Sequence, residues 1–334
     1  GAKPENVIVY GNSSLNIMYD QIARATIFGL CGNTPWSKLD KVKFLCPCPG
    51  YDRHFAICEF LGIEMINIPM TEEGPDMAAI EEAVKDSSVK GMFCVPKYSN
   101  PQGITYSAET VKRIANLDTA ADDFRIIWDN AYCVHDLTDT TDELLNIFDV
   151  LPEKNKNMVV EVASTSKISY PGAGVACIAT SVENVKEILK RLTVQAISYD
   201  KVNMLRHVRF FKNVDGIKAH MKLHAKILKP KFDAVIDTLN SDLAGLGIAE
   251  WNEPNGGYFI SLDVTGGSAS RVGVLCKEAG VTLTNVGATF PYGKDPTDSN
   301  IRIAPTFPTP EVLSKAVKVL TVSVKLACLE NLTR

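Results

Sequence analysis

The sequence predicts an α/β fold: a mostly parallel sheet sandwiched by helices, with a smaller C-terminal α+β domain. Three observations carry that expectation. Short apolar runs at 42–46, 65–68, 91–95, 124–128, 158–163 and 175–179 read as buried strands. Amphipathic stretches such as 76–84 and 107–116 lie between several of them and read as covering helices. From 182 to about 246 the pattern becomes long and helical. Gly256-Gly257-Tyr258-Phe259-Ile260 then opens a smaller segment that closes with a helix near 310–326. The expected division is a large domain over 1–200, a connecting helical region over 201–245 and a small domain over 246–334.

The 334 residues, 46% of them hydrophobic, suffice for a large core. A net charge of -4 gives no basic footprint for nucleic acid. No apolar run reaches membrane-spanning length, and the N-terminus carries no apolar signal core. The nine cysteines are scattered, and the close pair Cys46-Pro47-Cys48 lacks the spacing of a redox or zinc motif. Both are expected to be ordinary core or loop thiols, no metal site is expected, and the cytoplasm is the expected compartment.

Ser164-Thr165-Ser166-Lys167 is the most informative stretch. It follows a mostly apolar strand and precedes Tyr170-Pro171-Gly172-Ala173-Gly174. A lysine at the exit of a buried strand is poorly placed as a surface charge. Desolvation lowers its pKa and makes the amine a nucleophile able to condense with an aldehyde, as in pyridoxal phosphate enzymes. Ligands of an open α/β sheet sit beyond the carboxyl ends of its strands, where Asn100, Asp129, Tyr132 and Lys167 all fall.

Each of these residues has a second reading. Asp129 can pair with a protonated pyridine nitrogen or cap a helix. Tyr132 can donate to a ring oxygen or simply pack. Asn100, in Asn100-Pro101-Gln102-Gly103, can donate to the same oxygen or make an ordinary turn, and its bond to proline leaves a cis peptide open. Tyr51 can stack on a flat ring. His54 can support Asp129 from behind or face solvent. Asn12 and Ser13 precede an amphipathic run, so they can open a phosphate-binding helix start or form a bare cap. Ser164 and Ser166 can add hydroxyl donors to the same phosphate. Arg302, flanked by apolar residues, can meet a substrate carboxylate or a structural anion. Gly172-Ala173-Gly174 lacks the further glycine and helix start of a dinucleotide loop.

In order and spacing these stretches resemble the fold-type I pyridoxal-phosphate aminotransferases, over nearly the whole chain. The resemblance is closest to the aspartate aminotransferase subgroup that is grouped with MocR-like aminotransferase domains. Asp200-Lys201-Val202-Asn203, Arg206-His207-Val208-Arg209-Phe210, Gly287-Ala288-Thr289-Phe290 and Ile301-Arg302-Ile303-Ala304-Pro305 also carry it. The resemblance implies that Lys167 holds the cofactor and moves the proton, and that Asp129 pairs with the pyridine nitrogen. It implies that Asn100 and Tyr132 bind the ring oxygen, Tyr51 stacks on the ring, and Asn12, Ser13, Ser164 and Ser166 hold the phosphate. Arg302, with Asn100 beside it, would bind the substrate.

The implied reaction is transamination between L-aspartate and 2-oxoglutarate in a homodimer, with Lys201, Arg206 and Arg209 as candidates for a distal carboxylate. Transamination of another amino acid, a lyase reaction on the same cofactor, and the effector-binding domain of a MocR-like regulator are the alternatives. Two departures stand out. Many relatives carry a phosphate-binding arginine shortly after the lysine, where this chain has Gly172-Ala173-Gly174-Val175. Relatives also carry an N-terminal arm, which is expected to be absent because the chain begins almost at the phosphate loop.

Overall fold

The computed structural model describes residues 2–333. A three-residue strand β1 (Val7–Val9) and helix α1 (Ser14–Phe28) open the chain. Strand and helix then alternate through β2 (Lys43–Cys48), α2 (Asp52–Phe60), β3 (Glu64–Thr71), β4 (Gly74–Pro75) and α3 (Met77–Ala83). The alternation continues with β5 (Val89–Cys94), α4 (Ala108–Ala115), β6 (Arg125–Asp129), α5 (Ile147–Val150), β7 (Val159–Ser164) and β8 (Ala176–Ala179).

These strands form one eight-stranded sheet in the order β1-β8-β7-β6-β5-β2-β3-β4. Its centre, β3-β2-β5-β6-β7, is parallel. The edges are antiparallel: β4 pairs with β3, and β8 runs against both β7 and β1. Side chains along β2 alternate in destination. Phe44 and Cys46 join the core on one face, with Ile17, Met18 and Phe93, while Leu45 joins the core on the other, with Met92, Ile126 and Trp128. Covering on both faces is why the strands read as continuous apolar runs. Each such large side chain, fully buried, contributes about 1.5–3 kcal/mol. Cys46 and Cys48 are buried free thiols, as expected.

The long helical stretch divides into α6 (Val182–Gln195), α7 (Lys201–Phe211) and α8 (Val214–Leu243). Asp200 caps α7 by accepting from the Asn203 N–H at 2.9 Å, and Asn213 caps α8 by accepting from the Gly216 N–H at 2.9 Å. Between them Lys212 takes a left-handed conformation, φ 65°, which ends α7. A second, antiparallel sheet follows, from β9 (Ala249–Trp251), β10 (Ile260–Val264) and, after α9 (Ala269–Glu278), β11 (Asn300–Ile303). It packs with α8, α9 and the last helix, α10 (Pro310–Leu332), around a third core.

The sheet topology brings the site together. Parallel β2, β5, β6 and β7 deliver Tyr51, Asn100, Asp129 and Lys167 to one edge. Antiparallel β8 starts at that edge, so the 172–174 turn lies there, and β1 ends there, which delivers Asn12 and Ser13.

Candidate active site

Asp129 is the last residue of β6 and is 2% exposed. One carboxylate oxygen, Oδ2, accepts from His54 Nε2 at 3.1 Å. The other, Oδ1, is buried with no hydrogen-bond partner among the described residues. His54 comes from the first turn of α2 and is fixed by stacking on Phe93, ring centroids 4.4 Å apart. A carboxylate backed by a histidine, with its second oxygen unmatched, lacks a donor, preferably a cationic one.

Lys167 stands on a turn beyond β7. The turn closes when the Ile168 and Ser169 N–H groups both donate to Thr165 O, at 2.9 and 2.8 Å. Its amine lies 4.9 Å from the Tyr132 ring centroid. Burial pulls the Lys167 pKa below the usual lysine range, and the negative charge of Asp129 opposes that pull. Burial pushes the phenols of Tyr132 and Tyr51 upward, Tyr51 to about 12, with Asp129 adding to both. Both are therefore neutral hydroxyls at ordinary pH. Tyr51 meets His54 edge to face at 5.0 Å.

Arg302 projects from β11 toward the same edge. Its Nη1 donates to Asp52 Oδ1 at 2.9 Å and to Asn100 Oδ1 at 3.2 Å. Its guanidinium lies 5.0 Å from the Phe259 ring centroid. Its Nε is buried without a partner among the described residues. An ion pair therefore coexists with an unmatched N–H edge. Accepting from Arg302 ties down the Asn100 side-chain oxygen. The Asn100-Pro101 peptide is cis.

At the other end of the site, Ser164 Oγ donates to Ser166 Oγ at 3.2 Å, and Ser166 Oγ donates to Asn12 O at 2.9 Å. Asn12 donates its side-chain amide to Gly172 O at 2.9 Å, so it braces the turn. Ser13 caps α1, accepting from the Asn16 N–H at 3.4 Å and donating to Asn16 Oδ1 at 2.7 Å. Gly174 lets these strands meet, because a Cβ there would lie 2.7 Å from Asn12 O and 2.9 Å from Ser166 Oγ. Arg206 lines the adjoining depression with Asn12, Gly172 and Gly174. Arg209 lines a separate hollow beside Ser169 and His220, and Lys201 is exposed at the start of α7.

Several residues at the site were not singled out from sequence. Asp52, adjacent to Tyr51, holds Arg302. Tyr258 donates its hydroxyl to Lys167 O at 2.8 Å, and His135 Nε2 lies 3.4 Å from the same oxygen. The Gly256-Gly257 turn was the signal for Tyr258. Gly257 has φ +84°, and a Cβ on Gly256 would lie 2.2 Å from the Tyr98 ring, so the turn sits flat against that side chain.

The fold is that of fold-type I pyridoxal-phosphate-dependent aminotransferases. A solved structure of that fold, the α-aminoadipate aminotransferase of Thermus thermophilus complexed with phosphopyridoxyl-leucine, matches at TM-score 0.79 and 20% identity. It covers 98% of this chain and 79% of that one. A family model described as aspartate amino-transferase matches residues 1–334, and the chain belongs to that family. The aspartate aminotransferase of Corynebacterium glutamicum is 47% identical over 333 residues, 99% of this chain and 77% of that protein. The crystal structure of an aspartate transaminase from that organism matches at TM-score 0.96 and 48% identity, over 98% of this chain and 77% of that one.

Proposed function

We propose that the protein transfers the amino group of L-aspartate to 2-oxoglutarate, with pyridoxal 5'-phosphate bound between Asp129 and the Ser164–Ser166–Asn12 end of the site. One observation carries the reading: on the strand beside the one that leads to Lys167, the buried Asp129 Oδ1 has no donor among the described residues. A protonated pyridine nitrogen is a donor of the right charge for that oxygen. The cofactor, when bound, supplies an aldehyde for the amine and a cationic ring that withdraws electrons from the substrate α-carbon.

The protein's own groups do the rest. His54 orients Asp129 by donating to Oδ2. Tyr132 and the Asn100 amide donate to the ring oxygen, and Tyr51 covers the ring face. Asn12, Ser13, Ser164 and Ser166 turn hydroxyls and the α1 N-terminus toward the phosphate. Arg206, beside that cradle, adds positive charge in place of the arginine missing after the lysine. Arg302 receives the substrate α-carboxylate on its unmatched Nε edge while Asp52 and Asn100 hold Nη1. Lys167 would take the α-proton as a neutral amine, a form that its lowered pKa favours.

Aspartate as the donor is supported by the family and by the name of the corynebacterial relative. A homodimer is supported by the apolar surface of α6, α7 and the segment between them, where Val194, Ile197, Val202, Val208 and Phe210 are exposed. A cytoplasmic home is supported by nine free cysteines. No helix among the described residues is long and apolar enough to cross a membrane. The same reading assigns 1–200 to the cofactor, 201–245 to a connecting region and 246–334 to a small domain.

The test is a titration of the purified chain with pyridoxal phosphate, followed by absorbance and by amino transfer from aspartate, alanine and an aromatic amino acid. A visible band that Lys167→Ala abolishes together with turnover is expected, with aspartate the fastest donor. A Lys167→Ala variant that keeps both band and turnover would refute the mechanism. Ammonia released without amino transfer would replace it with a lyase.

A further inference from the structure

The chain has five histidines. His54 supports Asp129, and three of the others touch the turn that carries Lys167. His135, from the loop after β6, lies with Nε2 3.4 Å from Lys167 O. His220, from α8, lies with Nε2 3.0 Å from Ile168 O. His207, from α7, lies with Nε2 3.0 Å from Thr165 Oγ1 and 2.8 Å from Ser169 Oγ. Tyr258 adds a second donor to Lys167 O.

The partners fix the tautomers. A carbonyl oxygen only accepts, so His135 and His220 carry their proton on Nε2. His207 Nδ1 lies 2.9 Å from Asn203 O, so its proton is on Nδ1 and its Nε2 is the acceptor that faces the hydroxyls of Thr165 and Ser169. The turn is thus held at four of its five residues by side chains from four separate elements of the chain. Tyr258 and His135 are set side by side because the Gly257 N–H donates to His135 O at 2.9 Å and the Leu137 N–H to Asn255 O at 2.8 Å.

We propose that His135, His207, His220 and Tyr258 form a collar of positioning residues that fixes the 165–169 turn and thereby aims the Lys167 amine. The inference rests on the role given to Lys167 above. The amine ends a flexible four-carbon stem, so its reach is set where the stem leaves the main chain. The two donors to Lys167 O fix the peptide plane that follows that point, and the donor to Ile168 O fixes the next one. A displacement of about 1 Å at a reacting group can cost about a hundredfold in rate, so a collar on the backbone reaches the chemistry without touching substrate. Two members stand on α7 and α8, so changes in those helices reach the lysine through them.

The test begins with the protein free of cofactor. Lys167 is labelled with trace acetic anhydride across a pH series, and its peptide is quantified by mass spectrometry. Tyr258→Phe and His220→Leu are expected to move the labelling midpoint upward, toward that of an ordinary lysine, because a loosened turn lets the amine reach water. In the protein loaded with pyridoxal phosphate they are expected to lower kcat about tenfold with KM changed less than about twofold. His220→Gln, which keeps an N–H donor, is expected to recover both values. Wild-type midpoints in Tyr258→Phe and His220→Leu would overturn the inference, as would a His220→Gln variant impaired as much as His220→Leu. If the wild-type chain binds no pyridoxal phosphate while the midpoints still shift, the collar stands and the proposed reaction falls.

Discussion

The two ends of the site are built by opposite means. At the end proposed for the cofactor ring, the ring end, charged and polar side chains from distant segments are already paired and oriented: His54 with Asp129, and Arg302 with Asp52 and Asn100. Among the described residues that end keeps buried atoms unmatched, Asp129 Oδ1 and Arg302 Nε among them. At the phosphate end, small neutral groups satisfy one another through a short chain from Ser164 to Ser166 to Asn12. A preorganised charge with one unmatched atom is an invitation to a specific ligand. A ring of self-satisfied hydroxyls is a cradle that must exchange its internal bonds for those of the ligand. The ring end should therefore govern rate and the phosphate end affinity.

The largest effect should follow the loss of the charge at the ring end. Asp129→Ala is expected to lower kcat by about 10²–10³-fold, the scale of losing a preorganised electrostatic partner. Steady-state rates at saturating cofactor check this. A variant within about tenfold of wild type would mean that the ring end is not the electronic control point. Next comes Arg302→Lys. A lysine keeps the charge but not the fork, so KM for the amino acid is expected to rise by about 10–100-fold while the cofactor band persists. A parallel loss of the band would show that Arg302 supports the ring rather than the substrate.

The ends also differ in how they titrate. Hydroxyls do not ionise in the ordinary range, whereas the ring end has His135 beside the lysine. Burial, and then the charge of Lys167, push the His135 pKa from 6.5 down to about 3. The folded state therefore favours the neutral ring. Its stabilisation is complete above about 6.5 and is lost as pH falls toward 3. Thermal melts of the cofactor-free chain should show Tm falling over that window, with a shallower fall in His135→Gln. Equal slopes in the two proteins would assign the acid limb to other groups.

The parallel centre of the sheet was legible because strands covered on both faces must be apolar throughout, as β6 is from Ile126 to Trp128. Strands β1 and β4 were not singled out. They have three and two residues, and the antiparallel edge needs little apolar surface. Asp129, Lys167 and Asn100 were legible because each follows a strand and the sheet edge gathers them. Asp52, His135, His207, His220 and Tyr258 were not. Each contributes through one atom to a partner far away in sequence, and no local period records such a contact. The rarity of histidine was the available hint.

The smallest effect on rate should be at the phosphate end, and it decides whether the comparison holds. The Ser164 and Ser166 hydroxyls bond to each other and to Asn12 O before any ligand arrives. Binding an anion exchanges those bonds for charge-assisted ones, so the net gain per hydroxyl is only part of a full hydrogen bond, about 0.5–1.5 kcal/mol. Ser164→Ala combined with Ser166→Ala is therefore expected to weaken pyridoxal phosphate binding by about 10–100-fold, with kcat at saturating cofactor near wild type. Equilibrium dialysis gives the first quantity and steady-state rates the second. A large fall in kcat with unchanged affinity would reverse the assignment, making the serines part of the machinery that orients Lys167 rather than a cradle for charge.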